Sequence, residues 1–266
     1  MGDFVLELSP SSAGDFKSCP QLFKFRSVDR VPEATSPAAR RGSLVHLVLE
    51  RLFTQPAPNR TPERAEALLG DVWADMCAED PGAGDAVDAH SERAWLDGSR
   101  RLLANYFKLE DPRALTATRL EWWVEYELPD VHLRGIIDRL EIHADGSWSL
   151  TDYKTGRVPG EAREQAAFFG LRFYALVCWK AFGVLPRDIR LVYLSAPAVL
   201  TLNPHERMLL AFERQMRALG AAIRRAAERD DWRARPSPFC MTCPHQVRCP
   251  AWAPARDTSM DEAPPH

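Results

Sequence analysis

The sequence predicts an α/β fold, and three observations carry that prediction. Apolar residues recur at helical spacing up to about residue 110. From residue 121 the period drops to two, with Trp122, Val124, Tyr126 and Leu128 alternating with Glu121, Trp123, Glu125 and Glu127. Helical spacing returns at 161–182 and an apolar run follows at 189–195, the exchange of helix and strand expected of layered α/β proteins.

Taken in order, Ser9-Pro10-Ser11-Ser12 opens a helix that leads to Cys19-Pro20. Ser36-Pro37 opens a second, in which Leu44, Val45, Val48, Leu49 and Leu52 form one apolar stripe with His46 near its edge. Pro56, Pro58 and Pro62 mark a linker into two helices, 62–78 and 91–109, around a Gly/Asp-rich loop at 80–88; residues 56–112 thus read as a helical insertion. Strands at 133–143 and 147–154 flank the turn Ala144-Asp145-Gly146. A long Arg-rich helix, 204–229, leads into a cysteine-rich segment, 236–252. Residues 253–266 read as a disordered tail, and residues 1–252 as one domain without internal repeats.

With 266 residues, 45% hydrophobic and 27% charged, the chain has material for an ample core and is neither fibrous nor wholly disordered. A formal net charge of -3 means that any contact with nucleic acid needs a local basic surface. Arg40, Arg41 and Arg157, which flank the motifs below, are the candidates for gripping phosphates. No basic leader and no apolar run of the ~18 residues a membrane span needs are present, so the expectation is a soluble, cytoplasmic protein. No G-x-x-x-x-G-K-[ST] phosphate loop occurs, so an ATP-driven helicase would have to be a separate partner. Only five of the 34 cations are lysines, which makes a lysine beside carboxylates informative.

The second hairpin contains such a lysine. With Asp145 at the centre of its turn, Asp138 lies across from Asp152, and both share a face with Ile136, Leu140, Ile142, Trp148, Leu150 and Lys154. That apolar face is expected to be buried, and Arg139, Glu141, Ser147, Ser149 and Thr151 are expected to line a wet one. Burying two carboxylates and an ammonium costs several kcal/mol per unpaired ion. Two arrangements offset that cost: a hard divalent cation between the carboxylates, or a structural ion-pair cluster of Lys154 with Asp152 and Asp138.

Gly135-Ile136-Ile137-Asp138, Asp152-Tyr153-Lys154-Thr155-Gly156 and, upstream, Gly42-Ser43-Leu44-Val45-His46 together resemble the RecB-like branch of the PD-(D/E)XK nuclease superfamily. The resemblance implies a restriction-endonuclease-like αβββαβ core with a mixed central sheet from about 37 to 195. It also implies Mg2+ or Mn2+ held by His46, Asp138, Asp152 and the carbonyl of Tyr153, with Lys154 orienting the attacking water.

Cys240-x2-Cys243-x5-Cys249 places three thiols within ten residues, and Pro20, Pro244 and Pro250 follow Cys19, Cys243 and Cys249. They resemble the iron–sulfur staple of the AddB nuclease domain and related CRISPR-associated exonucleases, which implies a four-iron four-sulfur cluster joining the two ends of the chain. Zinc is the competing ligand for four thiolates, although all-cysteine zinc sites ordinarily use two C-x2-4-C pairs and only one is present. Cys77 and Cys178 read as core residues.

The family's Q-x-x-x-Y helix is matched at Tyr174 but not at Gly170, and Gln165 lies too far round an ideal helix to substitute. The implied activity is metal-dependent hydrolysis of DNA phosphodiesters, as a single-strand exonuclease in DNA repair or processing, with Asp138, Asp152, Lys154 and Tyr174 catalytic. The alternative is a nuclease-fold DNA-binding or assembly subunit that has lost turnover, which Gly170 would explain.

Overall fold

A computed structural model describes residues 6–80 and 89–252. The expected tail and most of the Gly/Asp-rich loop at 80–88 lie outside the described residues. Contacts divide the chain into two compact units, one made of the residues up to 10 with Thr35–Gln215, the other of Ser11–Ala34 with the residues from Met216 onward.

The first unit is organised on a mixed sheet. Its strands are β1 (Glu7–Leu8), β2 (Arg119–Leu128), β3 (Val131–Ile142), β4 (Trp148–Lys154), β5 (Asp188–Tyr193) and β6 (Ala198–Leu202), in the order β1-β3-β4-β5-β6 with β2 on the other edge of β3. β2–β3, β3–β4 and β5–β6 are antiparallel, whereas β1–β3 and β4–β5 are parallel. Strands β1 and β6 were not expected from the sequence; two and five residues are too short to show a period. The β3–β4 register pairs Arg139 with Thr151 and Ile142 with Trp148, as a turn centred on Asp145 requires. Gly146 takes φ 79° in that turn, and Asp145 Oδ1 accepts from the Ser147 N–H at 2.9 Å.

Ahead of the sheet run α1 (Pro10–Ser18), the short α2 (Pro20–Phe23), α3 (Pro37–Phe53), α4 (Pro62–Glu79) and α5 (Ala89–Leu109). The Ser36 hydroxyl caps α3 by accepting from the Ala39 N–H at 3.2 Å, and the stripe Leu44, Val45, Val48, Leu49 and Leu52 is fully buried against α4 and α5. The helix expected at 161–182 is two: α6 (Glu161–Ala167) and α7 (Phe169–Phe182), broken at Phe168, whose ψ of 3° leaves the helical region. α8 (Glu206–Arg229) completes the set.

The expected wet face is not wet. Arg139 and Thr151 are fully buried, Ser149 and Glu141 nearly so, while Ile136 and Ile142, placed by alternation in the core, are exposed. Two physical reasons account for this. Helices cover both faces of the sheet, so the polar side chains are buried against α3, where the Phe53 ring lies 5.0 Å from the Arg139 guanidinium carbon. In addition, the pleat reverses at one level of β2 and β3. Leu120 packs with the α3–α5 cluster, yet Trp122, two residues on, stacks on Phe182 of α7 at 5.1 Å. On β3, Gly135 lies against Tyr174 of α7, whereas Arg139, four residues on, lies against Phe53 of α3. Between them sit Glu121, with φ at 40°, and Asp138. A non-glycine residue in the left-handed region interrupts the alternation, as at a β-bulge, so sequence parity fails across it.

Candidate metal centre

The reversal of the pleat is where the charges gather. The register that pairs Leu120 with Arg139 and Trp122 with Ile137 sets Glu121 opposite Asp138. The β3–β4 ladder ends at the Arg139–Thr151 pair, and beyond it the Tyr153 N–H donates to Asp138 Oδ2 at 2.8 Å instead of to a strand partner. His46 comes from the edge of the α3 stripe. Gly42, one turn earlier, lets the helix pass β4 closely, since a Cβ there would meet Thr155 Oγ1 at 3.3 Å.

His46 Nε2 donates to the Tyr153 carbonyl oxygen at 3.0 Å, and His46 Nδ1 lies 3.4 Å from Asp138 Oδ2. A carbonyl can only accept, so Nε2 carries a proton, and the ring turns its Nδ1 toward a carboxylate oxygen. An imidazole nitrogen and a carboxylate oxygen at that distance call for a proton or a cation between them. Ligand atoms of His46, Glu121 and Asp138 lie within 4.8 Å of one another, the one such group of three or more among the described residues. Burial, followed by the charge of Asp152, pushes the Asp138 carboxyl up to about 7, against the opposing pull of His46. Burial likewise raises Glu121, with Glu50 and Asp152 adding to the shift. Two carboxylates that resist ionisation beside an imidazole nitrogen form a donor set that fits a hard divalent cation.

Among the residues that the sequence proposed for this site, Asp152 and Lys154 are joined at 2.6 Å, and the Tyr153 carbonyl is engaged by His46. Burial alone would lower the Lys154 ammonium, but Asp152 outweighs it and holds the group above its ordinary value, so it stays charged. Tyr174 reaches the site because β3 has a glycine beneath it: a Cβ on Gly135 would lie 2.6 Å from Tyr174 Cε1. Burial, then Asp152 and Asp138, push the Tyr174 hydroxyl up, so it remains a donor. Gln165 stands on α6, exposed and bonded to Arg172. Gly170 faces Pro10, with 3.7 Å available to a Cβ.

The three arginines part company. Arg40 is buried, with Nη1 3.2 Å from Asp80 Oδ2; Arg41 lies over the Trp95 ring at 5.3 Å; Arg157 is exposed. Glu121 was missed by reading the sequence, although a signal existed. A two-residue turn at Pro129-Asp130 sets the β2–β3 register and with it the Glu121–Asp138 pair.

In the second unit, Cys19, Cys240, Cys243 and Cys249 line one cavity of 310 Å³, with Phe25, Phe239 and Trp252 also on its wall. None of the four forms a disulfide. The backbone N–H of Arg235 donates to Cys19 Sγ at 3.4 Å and that of Ser237 to Cys240 Sγ at 3.3 Å. Among the described residues no three cysteine sulfurs lie within 4.8 Å of one another. His245, between the cysteines, is buried and pairs with Glu33 at 2.6 Å.

Comparison with known proteins gives a family and a fold. The family model described as the PD-(D/E)XK nuclease superfamily matches residues 7–250. The Gene 69 protein of Mycobacterium phage D29 is 26% identical over 197 residues, which are 66% of this chain and 70% of that protein. The crystal structure of a "putative exonuclease" from Eubacterium rectale superposes with a TM-score of 0.60 at 12% identity, over 90% of this chain and 87% of that one, a likeness of fold.

Proposed function

Because this chain belongs to the PD-(D/E)XK nuclease superfamily, we propose that its cluster of His46, Glu121 and Asp138 beside the Asp152–Lys154 pair hydrolyses phosphodiester bonds of single-stranded DNA as an exonuclease of the RecB-like kind. The observation that carries the reading is the gathering of an imidazole nitrogen and two carboxylates of raised pKa within 4.8 Å at the break in the pleat. Mg2+ or Mn2+ would be held by His46, Asp138 and Glu121, with Asp152 and the Tyr153 carbonyl at the same place. Such an ion supplies a Lewis acid for the phosphate and lowers the pKa of bound water.

The chain's own groups do the rest. Lys154 stays charged against Asp152, orients the attacking water and offsets the charge that builds on the phosphate. The protonated Tyr174 hydroxyl donates to a phosphate oxygen. His46, fixed through Nε2 to the Tyr153 carbonyl, keeps Nδ1 aimed at Asp138. Arg157, exposed just after β4, is a phosphate contact from outside. A role in DNA repair in the cytoplasm, with a separate helicase opening the duplex, completes the proposal.

We further propose that Cys19, Cys240, Cys243 and Cys249 bind a four-iron four-sulfur cluster of structural role. Four thiols around one cavity, with backbone N–H groups directed at two of the sulfurs, support it. Zinc fits less well: bonds of about 2.3 Å to four sulfurs bring them roughly 3.8 Å apart, and no three cysteine sulfurs come within 4.8 Å here.

The test is anaerobically purified protein with labelled single-stranded DNA and Mn2+, beside Asp152→Ala and Lys154→Ala. Cleavage from an end, with circular strands untouched, is expected of the parent alone. Cleavage that survives both substitutions rejects the site. Binding without cleavage by all three favours a subunit that has lost turnover, the reading suggested by Gly170 and the outward-facing Gln165. A brown protein absorbing near ~400 nm is expected of the cluster, and stoichiometric zinc without iron would reject it.

A further inference from the structure

Beside the candidate metal centre, the sheet carries a half-exposed aromatic side chain. Trp123 is 49% exposed and Ile136, its partner across β2 and β3, is 41% exposed. Their neighbours Trp122 and Ile137 turn to the covered face, where Trp122 packs on Trp148 and Phe182 and Ile137 is fully buried. The exposed pair lies two residues from Glu121 on one strand and two from Asp138 on the other, about 7 Å along the sheet at ~3.3 Å per residue. Arg134 lies over the Trp123 ring with its guanidinium carbon 5.7 Å from the centroid, and itself pairs with Glu7 at 2.8 Å. The Trp123 indole N–H donates to Glu125 Oε2 at 3.2 Å, which fixes the plane of the ring.

A tryptophan held by a hydrogen bond, with a guanidinium over its ring and half of its surface exposed, has the features of a base-stacking platform. We propose that Trp123, with Ile136 beside it, stacks an unpaired base of the substrate strand next to the scissile phosphate, and so selects single-stranded over duplex DNA. The inference rests on the nuclease reading above. An unpaired base exposes the π-face that stacking needs, whereas in a duplex both faces are already covered.

The test has two arms. In the first, cleavage kinetics are measured on single-stranded oligonucleotides that each carry one abasic residue at successive positions near the cleaved end. Trp123→Ala is expected to raise KM about tenfold while kcat stays within about twofold, and Trp123→Phe to recover most of the loss. At one position the abasic residue weakens the parent by a similar factor and leaves Trp123→Ala unchanged. Equal sensitivity of parent and Trp123→Ala at every position overturns the proposal. In the second arm, without divalent metal, oligothymidine is expected to quench more fluorescence in the parent than in Trp123→Phe. Equal quenching overturns stacking whether or not the protein cleaves, and absence of cleavage with unequal quenching rejects the nuclease reading while stacking stands.

Discussion

Asp138 and Arg139 are neighbours on β3, both largely removed from water, and they are treated in opposite ways. Arg139 is the largest fully buried side chain among the described residues and is matched almost completely. Its two terminal nitrogens donate to both Glu110 oxygens at 2.8 and 2.9 Å, to Glu141 at 3.0 Å, to the Tyr153 hydroxyl at 2.6 Å and to Thr151 at 3.3 Å, and only its Nε lacks a partner. Arg190 adds a second guanidinium 2.9 Å from Glu110. Asp138 faces Glu121 and Asp152, with His46 Nδ1 at 3.4 Å and one backbone N–H in its favour. One site holds the fold by satisfying its charges; the other leaves charge unsatisfied in the same strand, as a group awaiting a ligand must. The two communicate through Tyr153, whose hydroxyl takes a bond from Arg139 while its backbone binds His46 and Asp138.

The comparison is sharpened most by separating activity from stability. Lys154→Ala is expected to lower the cleavage rate by about 10²- to 10⁴-fold with an unfolding midpoint close to that of the parent, read by kinetics beside thermal unfolding. Arg139→Met is expected to lower stability instead: leaving Glu110 and Glu141 in the core with Arg190 as their remaining guanidinium should cost about 3 kcal/mol, read by denaturant unfolding. If Arg139→Met unfolds no more easily than Lys154→Ala, the division of labour between the two neighbours fails.

A third expectation concerns Asp138 itself, in the metal-free protein. Its carboxyl is raised from the ordinary 3.8 to about 7, so the folded state binds the proton more tightly than the unfolded chain. The stability that this proton lends is fully present below about pH 4 and is lost as pH rises through about 7. The unfolding midpoint of the metal-free protein should therefore contain a component that falls between about pH 4 and 7. Asp138→Asn, which keeps an acceptor for the Tyr153 N–H, should remove that component and raise stability at pH 8 by on the order of 1 kcal/mol while abolishing cleavage. Added Mn2+ should stabilise the parent more at pH 8 than at pH 5, because protons and cation compete for the same oxygens. A midpoint that rises over that range in the parent and its Asp138→Asn variant alike rejects the account.

Much of this site could be read from the chain because its residues obey local rules. The Asp145-centred turn fixed the β3–β4 register, and the α3 stripe placed His46 at an edge. Glu121 was readable from the Pro129-Asp130 turn but was passed over as one of three glutamates that alternate along an amphipathic strand. The reversal of the pleat was not readable, since no glycine marks the positive φ at Glu121. The buried network was not readable either. Arg139, Glu141 and Thr151 look like a solvated face until Glu110, 29 residues away, arrives to pair with the arginine. Charge alternation alone does not separate a wet face from a satisfied one.

The smallest expected effect tests how far that satisfaction extends. Thr151 Oγ1 is the most distant acceptor of Arg139, at 3.3 Å, and the arginine retains Glu110, Glu141 and the Tyr153 hydroxyl without it. Thr151→Val preserves shape and β-branching, so the loss is one long hydrogen bond at a fully buried position, about 0.5–1.5 kcal/mol. If the bonds act independently, Thr151→Val and Arg139→Met should differ by several-fold in unfolding free energy, with cleavage unchanged in the first. If they reinforce one another, the threonine should cost well beyond that range, and the double variant should cost scarcely more than Arg139→Met alone. A loss of cleavage in Thr151→Val with stability intact would mean that the network reaches the candidate metal centre through Tyr153, so that the satisfied neighbour also positions the unsatisfied one.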